Sequence, residues 1–249
     1  MSESYRALCN DFYINQKVSV KMDLPRTRET VLDLFERLRR QFPEMNSFRR
    51  YREELALESP TTDIPHRWVA VRNNTIRSGC VNAETLADGY ALHKQVLEAA
   101  PPFLSISPLD IDFIEVLYGF DLAAGGNHDA IVLDALVAGT TLASLADIPG
   151  ATAIDWQPVV GIALGQRGDL EAYFEVKTRS RSGGGRAEGP EGDPISVYLT
   201  VRKFGPFTDL KAMGDVFDAL ADRAEDLIEN HVLPGLLMPI REAIASGNA

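Results

Sequence analysis

Residues 12–24 alternate in character. Phe12, Ile14, Val18, Val20, Met22 and Leu24 fall on one parity, and Tyr13, Asn15, Lys17, Ser19, Lys21 and Asp23 on the other. A period of two marks a strand with one face buried. Pro25 ends it, and Thr27 is placed to cap a helix whose apolar positions are Val31, Leu34, Phe35, Leu38 and Phe42. Shorter strands are predicted at 53–59, 66–72 and 75–81. The last two form a hairpin through Asn73-Asn74, because Asn tolerates the positive φ of a tight turn. A second helix over 84–99 carries Leu86, Tyr90, Leu92, His93, Val96 and Leu97 near one face, and Pro101-Pro102 should stop it.

The same order then returns. Ile114, Val116, Tyr118, Phe120 and Leu122 alternate with Glu115, Leu117, Gly119 and Asp121. This strand ends in Phe120-Asp121-Leu122, an echo of Met22-Asp23-Leu24, and the next helix carries Val132-Leu133-Asp134-Ala135-Leu136, an echo of Val31-Leu32-Asp33-Leu34. Strands are predicted at 153–164, 170–178 and 195–204, and a helix from about Asp209 with Leu210, Met213, Val216, Phe217, Leu220, Ala224, Leu227 and Ile228 at helical spacing. Residues 180–194, with Gly183-Gly184-Gly185, Gly189 and Gly192, read as a flexible hairpin tip. Pro234 and Pro239 should break the last helix into an apolar tail, Val232–Ile240, that must dock on the body or on a second subunit.

Eight strands and four long helices in this order predict an α+β domain: a curved antiparallel sheet with helices on one face, built from two βαβββα pseudo-repeats at 10–102 and 108–249. Hairpin-linked strands cannot make a parallel doubly wound sheet, which needs a crossover between each pair. The duplicated order resembles the saddle of the TATA-binding-protein fold, although that family carries an extra strand per repeat. The turn Gly126-Asn127-His128-Asp129 and the strand Ser196–Val201 are also similar to segments of an uncharacterised bacterial protein family, which implies no activity. The DNA-binding role of the TATA-binding protein is not implied, because its saddle has a basic, apolar underside and this chain is acidic.

Charge sharpens that point. Twenty-five Lys and Arg stand against 36 Asp and Glu, a net −11 that repels phosphate backbones and anionic lipid. Neither nucleic acid nor membrane is an expected partner. No apolar run reaches the roughly 20 residues that cross a bilayer, and Met1–Arg6 lacks the features of a signal peptide, so a cytoplasmic protein is expected. Cys9 and Cys80 form no CxxC pair; a disulfide between them is unneeded at this size, and both read as small core residues.

The candidate chemistry centres on Gly125-Gly126-Asn127-His128-Asp129. Two glycines before a helix allow a sharp turn toward unpaired N–H groups that favour an anion, His128 can carry a proton, and Asp129 or Asp121 can orient it. The same residue types also suit plain turn-and-cap chemistry, with Asn127 capping and Asp129 complementing the helix dipole. The first repeat has Pro25-Arg26-Thr27-Arg28-Glu29 there, so a site in this turn is not duplicated. His66, His93, His128 and His231 show no metal-ligand spacing, and no metal or cofactor is expected. Asp110, Asp112 and Glu115 alternate as a half-exposed strand does, and Ser78 lacks the setting of a nucleophile. No catalytic motif emerges. The leading expectation is a non-catalytic binding or protein-interaction module that self-associates or takes a protein partner. The alternative is a small-ligand-binding protein or enzyme using Gly126, Asn127, His128, Asp129 and Asp121.

Overall fold

The computed structural model describes residues 4–247 except 26, 146, 166 and 179–192. The segment expected as a hairpin tip therefore lies almost wholly outside the described residues.

The strands are β1 (Asp11–Val20), β2 (Ser47–Arg50), β3 (Leu55–Glu58), β4 (His66–Val71), β5 (Thr75–Val81), β6 (Ile111–Leu122), β7 (Val159–Leu164), β8 (Leu170–Lys177) and β9 (Ile195–Phe204). They form one open antiparallel sheet in the order β2-β3-β4-β5-β1-β6-β9-β8-β7. Outward from β1 lie β5, β4, β3 and β2; outward from β6 lie β9, β8 and β7. Each half thus places its first strand at the centre and its last strand beside it. The expected curvature is not a clear feature of this sheet. The ninth strand, β2, was hidden because Ser-Phe-Arg-Arg has one apolar residue in four and shows no alternation.

The helices are α1 (Arg28–Arg39), α2 (Leu86–Leu104), α3 (His128–Val137), α4 (Met213–Leu227) and α5 (Met238–Ser246). They cover the face carrying Phe12, Ile14, Val18, Ile114, Val116, Tyr118, Phe120, Val197, Leu199 and Val201, all at most 5% exposed. Burying these side chains against one helical layer supplies the main stabilisation. Tyr90 of α2 binds the layers together: its hydroxyl lies 2.6 Å from that of Tyr118 in β6 and donates to Glu225 Oε1 of α4 at 2.7 Å. Ser78, a polar residue on the buried parity opposite Gln16, has Oγ 2.7 Å from His93 Nδ1 of α2 and 3.3 Å from Gln16 Oε1.

Several boundaries differ from expectation. β1 ends at Val20 after a register shift, so Met22-Asp23-Leu24 lies beyond the strand with Met22 exposed, whereas Phe120-Asp121-Leu122 lies within β6. The echo between these triplets is one of sequence, not of position in the sheet. The strand expected over 153–164 begins only at Val159, after Pro158, which has no N–H to give a ladder. Pro101-Pro102 does not stop α2. Both sit in its last turn, where the loss of their N–H donors is offset by the burial of Pro101 and Leu104, and Ser105 closes the helix at φ 54° with its N–H on Pro101 O.

Nor do Pro234 and Pro239 break the chain into an irregular tail. Residues Ile228–Leu237 continue as a wider π-helical coil around Pro234, and Pro239, the second residue of α5, does not interrupt the run. The segment docks on the body: Val232, Leu237 and Ile240 are fully buried, and α5 packs against α3. Cys9 and Cys80 are both free thiols. Burial pushes the Cys80 thiol up to about 12.

The helix-free face combines rings with paired charges. Trp68, Tyr13 and Tyr173 each stand directly opposite a glycine of the neighbouring strand, Gly79, Gly119 and Gly161. A Cβ there would come within 2.2 Å of Trp68, 2.2 Å of Tyr13 and 2.9 Å of Tyr173, so each glycine is a seat for its ring.

Candidate interaction surface

The turn singled out by sequence is firmly built into the fold. Gly126 supplies a φ of 79°. Asn127 caps α3, its Oδ1 accepting from Asp129 N at 3.0 Å and Ala130 N at 3.2 Å while its Nδ2 donates to Ala153 O. Asp129 is 1% exposed, and its Oδ1 accepts from the Trp156 backbone N–H at 2.9 Å and from Thr178 Oγ1 at 2.6 Å. That one carboxylate ties the start of α3 to the approach of β7 and to the end of β8. His128 has Nδ1 3.0 Å from Thr178 O and Nε2 2.9 Å from Ala124 O. A neutral ring carries one N–H and bonds one of these carbonyls; an imidazolium bonds both. Asp121 is engaged elsewhere, accepting from Tyr13 Oη at 3.2 Å and Ser196 Oγ at 2.6 Å. The turn therefore brings Asn127, His128 and Asp129 together as a junction of backbone segments, and Asp121 takes partners of its own.

A depression of about 490 Å³ on the helix-free face is lined by Asn15, Lys17, Trp68, Arg77 and Glu115. Its cations already face carboxylates: Lys17 meets Glu115, Arg72 meets Glu53, and Arg77 meets Glu54. Among the described residues, no group of three or more His, Cys, Asp or Glu is arranged to hold a metal ion. His231 is exposed. His93 is fully buried, and burial lowers its basicity to about 3, so it is neutral in the core.

The surface that stands out lies at the far edge of the second half. Among the described residues, seven of the thirteen large apolar side chains left exposed fall between 142 and 162: Leu142, Leu145, Ile148, Ile154, Val159, Val160 and Ile162. Such clustering, unlike scattered exposed apolar residues, marks an interaction surface. Leu142 and Leu145 line a groove of about 590 Å³ with Leu133 and Val137 of α3 and with Trp156. The last three of the seven belong to β7, Val159-Val160-Gly161-Ile162-Ala163-Leu164, the outermost strand, paired among the described residues only to β8. It carries no charge, no proline and no bulge, the features by which edge strands avoid unwanted pairing.

The orientation of its unpaired edge follows from one bond. Val176 N donates to Pro158 O at 3.0 Å, so Pro158 faces β8. In an antiparallel ladder alternate residues face the partner. Val160, Ile162 and Leu164 therefore bond to β8, and Val159, Gly161 and Ala163 turn their N–H and C=O groups outward. Sequence reasoning did not find this surface, because a run of six apolar residues reads as a strand buried on both faces. The available signal was the companion stretch 138–158, in which Leu142, Leu145, Ile148 and Ile154 have no helical or strand period. No helix in the described residues is long and apolar enough to cross a membrane. No known protein family and no curated protein matches this chain.

Proposed function

We propose that the chain is a non-catalytic protein-interaction module that works through the β7 edge and the apolar stretch beside it. The observation that carries this reading is the edge strand itself: six uncharged residues, three of them with outward backbone groups, preceded in the chain by exposed Ile154. Strand addition to such an edge gains main-chain hydrogen bonds and buries alternate apolar side chains in one step. The duplicated order, with β1 and β6 at its centre, supports the likeness to the TATA-binding-protein architecture. An acidic chain with paired cations supports a protein rather than a nucleic-acid partner. The turn residues Gly126, Asn127, His128 and Asp129 serve this surface by fixing α3 and the Trp156 segment to which it is attached.

The test is a photoactivatable cross-linking residue at Ile162 of β7, with Arg49 on β2 as control. Protein adducts from Ile162 and none from Arg49 are expected. Equal yields, or no adduct at either, would sink the assignment.

A further inference from the structure

Building on the β7 assignment just made, we infer that the occupant of this edge is a second copy of the same chain, paired antiparallel about a two-fold axis through Gly161. An isologous pairing requires that the strand be complementary to its own reversal. β7 meets that requirement. Only Val159, Gly161 and Ala163 have outward backbone groups, and a register centred on Gly161 matches Val159 with Ala163 and Gly161 with itself. About six N–H···O=C bonds result, with no outward group of those residues left over. On the helical side the same register sets Val160 of one copy against Ile162 of the other, covering side chains that are 53% and 46% exposed. On the helix-free side Gly161 has no side chain to obstruct the axis.

Charge selects the same solution. Two copies of net charge −11 repel, so a contact between them must be made where the chain carries no charge. Val159–Leu164 is such a segment. The opposite edge is not a rival: β2 is four residues long and bears Arg49 and Arg50. Pairing β7 with β2 would also be heterologous and would propagate without closing. Area sets a further condition. A six-residue strand is about 20 Å long, too little by itself for the roughly 800 Å² per partner of a standard interface. Exposed residues that precede β7 in the chain, Ile148 and Ile154 among them, must therefore add to the contact, with the exposed carboxylates Asp147 and Asp155 left at its solvated margin.

Sedimentation velocity of the full chain over about a hundredfold range of concentration tests this. The wild type should pass from monomer to dimer and stop there. Added salt should strengthen the dimer, because screening relieves like-charge repulsion while the contact itself contains no ion pair. Ala163→Pro removes one outward N–H and leaves the β8 ladder whole, and Ile162→Lys places a charge on the covered face. Each should weaken dimerisation at least about tenfold. Circular dichroism identifies a variant that fails to fold, and the other then decides.

A wild type that stays monomeric throughout overturns the second-copy inference, as does a dimer that survives both substitutions. The broader β7 assignment fails separately: adducts from Ile162 with a mass other than twice the chain's, in a monomeric protein, would retain the edge and exclude the second copy.

Discussion

The two halves of the sheet share a strand order and diverge at their rims. In the first half, residues 40–46 connect α1 to a short added strand, β2, whose Phe48 packs against Phe35 of α1 with ring centroids 6.0 Å apart and whose outer residues are Arg49 and Arg50. In the second, residues 138–158 connect α3 to β7, no further strand among the described residues follows outside it, and β7 itself is apolar and uncharged. The attachment of the first helix differs in parallel. Thr27 caps α1 through one exposed contact with Thr30 N, whereas α3 is held by the Asn127 cap and by buried Asp129 reaching Trp156 and Thr178. One half closes its edge with a strand and charges. The other leaves it open and braces the segment that leads to it.

That contrast can be broken most directly at the helix starts. Asp129→Ala leaves buried donors on Trp156 and Thr178 without an acceptor and should cost about 3 kcal/mol, read by urea denaturation. Thr27→Ala, the loss of an exposed cap, should cost only about 1 kcal/mol. Equal losses would mean that the second half is not specially braced.

A gradient from centre to rim is expected in the glycine seats. Gly119→Ala and Gly79→Ala force a ring out of place in the middle of the sheet and should each destabilise by about 2 kcal/mol. Gly161→Ala meets Tyr173 less closely, on an exposed edge strand, and should cost under about 1 kcal/mol. The same denaturation series would reveal a flat profile if the edge were as tightly packed as the centre.

A pH dependence belongs to the core of the first half. His93 titrates near 6.5 when unfolded and near 3 in the core, so the unfolded chain binds a proton that the native one refuses. Its stabilising contribution is complete above about pH 6.5 and is lost as pH falls toward 3, at about 1.4 kcal/mol per pH unit within that window. Between pH 6.5 and 5, where carboxylates contribute little, His93→Gln should flatten stability against pH.

The smallest effect is expected at the first rim. Arg49→Thr with Arg50→Val should change stability by no more than about 0.5 kcal/mol. It should nevertheless raise the weight-average mass beyond a dimer, because a molecule with two open edges can chain. A mass unchanged from that of the wild type would show that the short length of β2, not its arginines, protects that edge.

Much of the fold was legible because periodicity reports burial directly. The alternation in β1 and β6 and the helical spacing of Leu220, Ala224 and Leu227 each state which face meets the core. Asn127 was legible as a cap for the same reason, since its position before an apolar helix needs no tertiary information. The prolines misled because tertiary packing outweighs their missing N–H donors: Leu104 beyond Pro101-Pro102 and Leu237 beyond Pro234 are both buried. β2 was illegible because a strand with three polar residues in four is held by Leu55–Glu58 beside it, not by its own pattern.

By itself the sequence determined the class of fold, the paired order of its elements, the buried parity of the central strands and the acidic field that argues against nucleic acid. These follow from local spacing and composition, which a single chain carries in full. Only the tertiary structure decided that Val159–Leu164, the segment most like a buried strand, stands at the open rim, and that Asp129 is spent on bracing the approach to it. A strand's neighbours are chosen by long-range pairing, and neither the exposure of an apolar run nor the partners of a buried carboxylate can be read until those neighbours are in place.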